Sequence, residues 1–152
     1  MLPVYLPEYF KEKDYEELVK VVTHFPLAVL VCDSDGEIVV NHIPLIFENS
    51  NELIGHVAKL NPLQRQLKNG ASVMAVFRAE DAYISPNYYP TKLKTHRHVP
   101  KWNYQAVHIY GKVTFTHSKK IRLQSLVRCP SSLNIIYLVK SLENVRYSKR
   151  FC

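Results

Sequence analysis

Apolar side chains at Leu18, Val21, Val22 and Phe25 fall three and four residues apart, the repeat of one helix face. Asp14 precedes that stripe and Glu17 follows it by three, a capping-box-like start, so the pattern predicts an amphipathic helix over 14–24. Pro26 ends it. From there the repeat shortens to two. Residues 27–32 read as a short buried strand, Asp33-Ser34-Asp35-Gly36 as a hairpin turn with Gly36 at positive φ, and 37–47 as the returning strand. Asn49-Ser50-Asn51 turns the chain again into a strand at 52–57. Asn61 as cap, Pro62 at the first helical position and Gly70 after the last turn predict a helix at 62–69.

Strands are then expected at 71–77 and, briefly, 82–84, with a loop bearing proline and histidine over 85–101. Residues 102–115 read as one long strand. Val107, Ile109, Val113 and Phe115 point one way, and Tyr104, Ala106, His108 and Tyr110 the other. Neither face is polar, so both are expected to be covered, one by core and one by a subunit or ligand. Many short antiparallel strands with two small helices predict a mainly β, α+β, barrel-like domain.

Composition agrees. The chain has 152 residues, 47% hydrophobic and 22% charged, which suits one globular domain with a real core. Only 4 glycines occur, beside 9 prolines and 10 tyrosines, favouring strands broken by structured loops. The net charge of +7 is unevenly placed. Residues 1–117 hold 12 Lys and Arg against 12 acids, while 118–152 hold 8 against Glu143 alone. The body is neutral in sum, and the basic balance resides in the tail.

Cys32, Cys129 and Cys152 show no paired metal spacing, which points to reduced thiols. The N-terminus lacks a cationic lead and an unbroken apolar stretch, and the apolar run at 25–32 is too short to cross a bilayer. A cytoplasmic protein without a membrane partner is the expectation.

Four segments carry a resemblance: Asn41-His42-Ile43-Pro44-Leu45; Gly55-His56-Val57-Ala58 leading to Asn61-Pro62-Leu63; Ala82-Tyr83-Ile84-Ser85-Pro86 with Tyr88, Tyr89 and Pro90; and Val99-Pro100-Lys101-Trp102-Asn103-Tyr104 with Val107-His108. In this order and spacing, over residues 4 to 115, they resemble the PaiB family, FMN-binding proteins described as negative transcriptional regulators. The resemblance implies a split β-barrel of the FMN-binding type, a homodimer, and FMN sites at the subunit interface. Some split-barrel relatives are flavin-dependent oxidoreductases, which is the alternative activity. The chain departs from the family pattern at Gln64 and Arg65, where an aromatic residue is usual, and at Lys101, where a small or hydroxylated one is. It also departs after Thr116. Residues 1–116 are therefore expected to form an incomplete split-barrel domain, and 117–152 a divergent, truncated or frame-shifted basic tail. The run Asn134-Ile135-Ile136-Tyr137-Leu138-Val139 suits a strand at 134–140.

FMN needs cations or hydroxyls for its phosphate, a flat apolar slot for its ring, and polar partners at the ring edge. Under the resemblance, Ser85 and Lys92 serve the phosphate, Tyr83, Tyr88 and Trp102 wall the ring, and Asn103 or His56 bonds its edge. The competing view of the same residues places Tyr83 in the core and lets Ser85 merely start a turn. His42 and His56 on apolar strands are ordinarily hydrogen-bonded core or interface residues. His96 and His98 flank Arg97 without a nearby carboxylate or cysteine to complete a zinc site, so a solvated loop face is expected and no metal. Asp33 and Asp35 are expected to shape their turn. No nucleophile constellation, P-loop or dinucleotide fingerprint occurs. Lys119, Lys120, Arg122 and Arg128 could bind DNA phosphates non-specifically, but no groove-reading motif accompanies them.

Overall fold

The computed structural model describes residues 6–95 and 98–116, together with two further strands, Leu133–Lys140 and Arg146–Lys149. In chain order the elements are β1 (Lys11–Glu12), α1 (Tyr15–His24), β2 (Leu27–Ser34), β3 (Glu37–Asn49), β4 (Glu52–Ala58), α2 (Leu63–Gln66), β5 (Ser72–Ile84), α3 (Lys92–Thr95), β6 (Lys101–Thr116), β7 (Leu133–Lys140) and β8 (Arg146–Lys149). His96 and Arg97, and in the tail Lys119, Lys120, Arg122, Arg128, Cys129 and Cys152, lie outside the described residues.

The strands pair antiparallel in the order β6–β5–β2–β3–β4–β7, and β7 pairs back onto β6, which closes a ring of six. Closure leaves the ring without a free edge to template aggregation. One side of β6 pairs with β5 over Lys101–Lys112. Its other side is divided: Gly111–Thr116 meets β7, whereas Gln105–His108 meets β8, which in turn carries β1. That division of one strand's edge is what splits the barrel. The fold is thus the mainly β, α+β barrel that the pattern predicts, in the split form that the resemblance implies.

Strand alternation fills the interior. Ala28, Leu30 and Cys32 of β2, Val73, Ala75 and Phe77 of β5, and Val107, Ile109 and Val113 of β6 are all buried. Each fully buried side chain of the size of Leu30 or Phe77 contributes about 1.5–3 kcal/mol relative to exposure. Helix α1 adds Leu18, Val21 and Val22 to that core. On the opposite face of β6, Tyr104, His108 and Tyr110 are half-buried, so this strand has no fully solvated face.

Local chemistry explains where the elements begin and where the sequence misleads. Asp14 caps α1, its carboxylate accepting from Glu16 N–H at 2.8 Å. The reciprocal half of a capping box is absent, because Asp14 N–H donates to Glu12 and Glu17 pairs with Lys20. The β2–β3 hairpin turns on Asp35 at φ 55° and Gly36 at φ 88°, two consecutive left-handed residues, as a type I′ turn demands. Asp33 Oδ1 accepts from Gly36 N–H, so the turn's first acid does shape it.

Helix α2 is shorter than the expected 62–69. Leu67 is already extended, at φ −116° and ψ 133°, which buries its side chain beside Leu63. The carbonyl of Gln66 is taken by the Ser34 hydroxyl at 2.9 Å instead of by a further helical amide. Residues 82–84 are not a separate strand. They continue β5 beyond a β-bulge between Arg78 and Asp81. The loop after it is not featureless either, since it holds a 3₁₀ turn at Pro86–Tyr88 and the short helix α3. No helix among the described residues is long and apolar enough to cross a membrane.

Candidate functional site

The β5–β6 hairpin runs on past the ring as an arm, and the bulge decides what that arm presents. Arg78 pairs with Ala106, but the next pair is Asp81 with Tyr104, so one extra residue is absorbed on β5. The insertion inverts the alternation, bringing Asp81 and Tyr83 to the face that carries Tyr104 and Trp102. Tyr83 lies directly opposite Trp102, with ring centroids 6.0 Å apart and planes tilted by 52°. Both rings stay half in solvent, Tyr83 at 53% and Trp102 at 51% exposure. Tyr83 is therefore not a core residue.

The indole does have a polar anchor. Trp102 Nε1 donates to Asp81 Oδ1 at 3.1 Å, and the Arg78 guanidinium donates to the other carboxylate oxygen.

Past β5, Ser85 caps the 3₁₀ turn, its hydroxyl oxygen accepting from Asn87 N–H at 3.2 Å. So Ser85 does start a turn. That bond leaves the hydroxyl proton unused. Lys92, at the start of α3, donates to Asn87 Oδ1, so one asparagine ties Ser85 and Lys92 together. Tyr88 stands out to solvent. Tyr89 instead stacks face to face on His98, centroids 4.9 Å apart and planes within 1°, while His98 Nε2 and Thr91 Oγ1 share a 2.8 Å hydrogen bond. Lys101 places its ammonium 5.6 Å from the Tyr89 ring centroid, a cation–π arrangement at the position that departs from the family pattern. His98 is thus engaged on one side with an aromatic ring and does not simply face solvent.

Asn103 follows Trp102 and alternates to the other face of β6. Its Oδ1 is buried and has no hydrogen-bond partner. His56 Nδ1 and Gln64 Nε2 are likewise buried without partners. Unsatisfied buried polar atoms are costly, and each calls for an explanation. His56 sits apart from the others, on β4 opposite Ile135 of β7, with β7 between β4 and β6. The structure therefore gathers Tyr83, Ser85, Lys92, Trp102 and Asn103 on or beside the arm and leaves His56 elsewhere on the same copy.

Three residues of this constellation carry no signal of their own in the sequence: Arg78, Asp81 and Asn87. A finer charge count would have pointed to the region. Asp81 is the last acid before Glu143, and residues 82–142 hold ten Lys and Arg with no carboxylate between them. The neutral sum over the body conceals this division. Among the described residues, Lys92, Lys94, Lys101, Lys112 and Lys140 belong to the acid-free stretch. No cluster of three or more His, Cys, Asp or Glu that could hold a metal occurs among the described residues.

Comparison with known proteins gives this arm a context. Among curated proteins, the chain is 32% identical over 121 residues to "Protease synthase and sporulation protein PAI 2" of Bacillus subtilis, covering 78% of this chain and 56% of that protein. It is 39% identical over 83 residues to an uncharacterised protein of Saccharomyces cerevisiae, covering 52% of this chain and 49% of the other. The chain thus spans about half the length of these two relatives. Among solved structures, the FAD and heme binding protein of Mycobacterium smegmatis superposes with a TM-score of 0.72 at 16% identity, over 94% of this chain and 74% of that one. A flavocytochrome of Azotobacter vinelandii gives 0.71 at 11% identity, over 97% and 73%. At such identities these two establish a shared fold and nothing finer. The model of the family described as "Putative FMN-binding domain" matches residues 4–132, taking in all four resembling segments and the whole arm. With its split-barrel fold, the chain belongs to the family described as "Putative FMN-binding domain" and is a distant relative of PAI 2.

Proposed function

We propose that the chain binds FMN on the β5–β6 arm. The observation that carries this is the pairing of Tyr83 with Trp102, an aromatic step left half in water at the end of an acid-free, lysine-bearing loop. The residues present fit the group's three demands. Ser85 offers a hydroxyl proton and Lys92 a point charge to the phosphate. Tyr83, Trp102 and Tyr88 offer apolar ring surface. The Asn103 carbonyl oxygen, buried with no donor, lies on the other face of β6 from Trp102, so it would meet the N–H at the edge of an isoalloxazine only where a second copy brings that edge to it. When bound, FMN supplies electron or hydride transfer.

The dimeric state belongs to the same proposal. Across the ring's outer surface, Val40, Val31, Met74 and Tyr110 form one cross-strand row, and His42, Val29, Val76 and His108 the next. Neither row carries an acid, a lysine or an arginine, and such a surface is of the kind that a second copy covers. A second copy would also give His56 a route to the ring edge that β7 denies it within one chain.

The primary reading is a flavin-binding module resembling the PaiB-type regulators; DNA binding has no groove-reading motif in the sequence to support it. The half-open aromatic face favours, as a second reading, a flavin-dependent oxidoreductase. Visible absorption after FMN addition and desalting tests both. Retained flavin that is bleached by reduced nicotinamide supports the enzyme, and retained inert flavin the module. Loss of all flavin from the folded protein overturns the proposal.

A further inference from the structure

We infer that Asp81 is a positioning residue for the aromatic slot: it fixes the orientation of the Trp102 indole, and Arg78 offsets the charge that this requires. The inference rests on the proposed FMN site and deepens it. A regular β5–β6 ladder running on from Arg78 and Ala106 would set Glu80 opposite Tyr104, and the bulge sets Asp81 there instead, on the face of Trp102. The shorter aspartate side chain meets the indole N–H at 3.1 Å.

An indole has a single donor, so satisfying it selects one ring orientation. Here the selected orientation sets the indole 6.0 Å from the Tyr83 ring. Both carboxylate oxygens are engaged, Oδ1 by Trp102 and Oδ2 by Arg78. The carboxylate is the more enclosed partner of the ion pair, its side chain 28% exposed against 62% for Arg78.

Charge gives Arg78 its part. Asp81 is the last acid before a long basic stretch, and an anionic ligand on the arm meets that carboxylate beside the ring. A guanidinium on the same carboxylate cancels the repulsion locally, and its effect is screened by salt.

Trp102 is the sole tryptophan, so its fluorescence reports the indole directly, with or without ligand. The test combines steady-state anisotropy and acrylamide quenching of the ligand-free chain with an FMN titration. Asp81→Ala is expected to lower the anisotropy, raise the quenching and weaken FMN binding roughly three- to tenfold, the usual worth of one hydrogen bond. Asp81→Asn keeps an acceptor and should restore the anisotropy and most of the affinity. Arg78→Ala should weaken FMN binding most at low salt. Wild-type anisotropy in Asp81→Ala, or an Asp81→Asn variant as mobile as Asp81→Ala, overturns the positioning role. A wild-type chain that takes up no FMN overturns the flavin reading instead, while the anisotropy still decides whether Asp81 holds the indole.

Discussion

Gly55 of β4 faces Leu45 of β3 so closely that a Cβ on the glycine would lie 2.6 Å from Leu45 Cδ2 and equally near the Pro44 carbonyl oxygen. Backbone cannot yield as a side-chain tip can, so this is where β3 and β4 are drawn together to bend the ring. Gly55→Ala is expected to destabilise the fold by about 1–3 kcal/mol, the usual cost of overpacking. Urea unfolding should show a lower midpoint at an unchanged slope. A midpoint equal to that of wild type would mean that the ring tolerates a wider β3–β4 spacing.

Strand β7 joins β4 to β6, pairing Gly55 with Ile136 and Val113 with Leu138. Truncation after Thr116 removes it and opens the ring along two strand edges. The shortened chain should aggregate, or lose cooperative unfolding, because open edges invite pairing with other chains. A soluble, cooperatively folding product would show that residues 117–152 are dispensable.

Cys32 is buried, with its thiol directed at the Val39 carbonyl oxygen, and burial raises its pKa above the ordinary value of 9.0, Asp33 adding to the rise. The thiol form is therefore favoured in the folded chain. Its contribution to stability is full below the unfolded thiol's pKa and falls away as pH climbs from there through the folded value. In a chain with Cys129→Ser and Cys152→Ser, Cys32 should resist thiol reagents in the native state and react once denaturant is added. Rapid native labelling would place Cys32 outside the core.

How much of this was legible in the sequence depends on the range of the interaction. Asp35-Gly36, Asp14 and Pro26 act within a few residues, and the turn, cap and helix end that they predict are present. The helix at 62–69 reads too long because the partner that stops it, the Ser34 hydroxyl, lies 32 residues earlier. The strand within 134–140 is visible as an apolar run, but its place between β4 and β6 is set by pairing with residues far upstream. In the candidate site, the motifs single out Tyr83, Ser85, Trp102 and Asn103, with Lys92 two residues beyond Pro90, and so point to the arm on or beside which these residues lie. Asp81 was not, since its role exists only once the bulge has fixed the β5–β6 register.

Lys92 is held by Asn87 beside the Ser85 hydroxyl. If it serves the phosphate, Lys92→Ala should weaken FMN binding roughly tenfold or more, as loss of a charged hydrogen-bond partner does. The salt dependence of binding should flatten as well. Titrations at two ionic strengths check both. Unchanged affinity would move the phosphate elsewhere.

The most direct test of the whole account is a titration of FMN into the purified chain while Trp102 emission is followed. Flavin absorption overlaps indole emission, so a ring seated against Trp102 quenches it. The expected result is saturable quenching, one FMN per chain, that is weakened in Lys92→Ala. Emission that falls only by simple light absorption, with the chain folded, would contradict a flavin site on the β5–β6 arm.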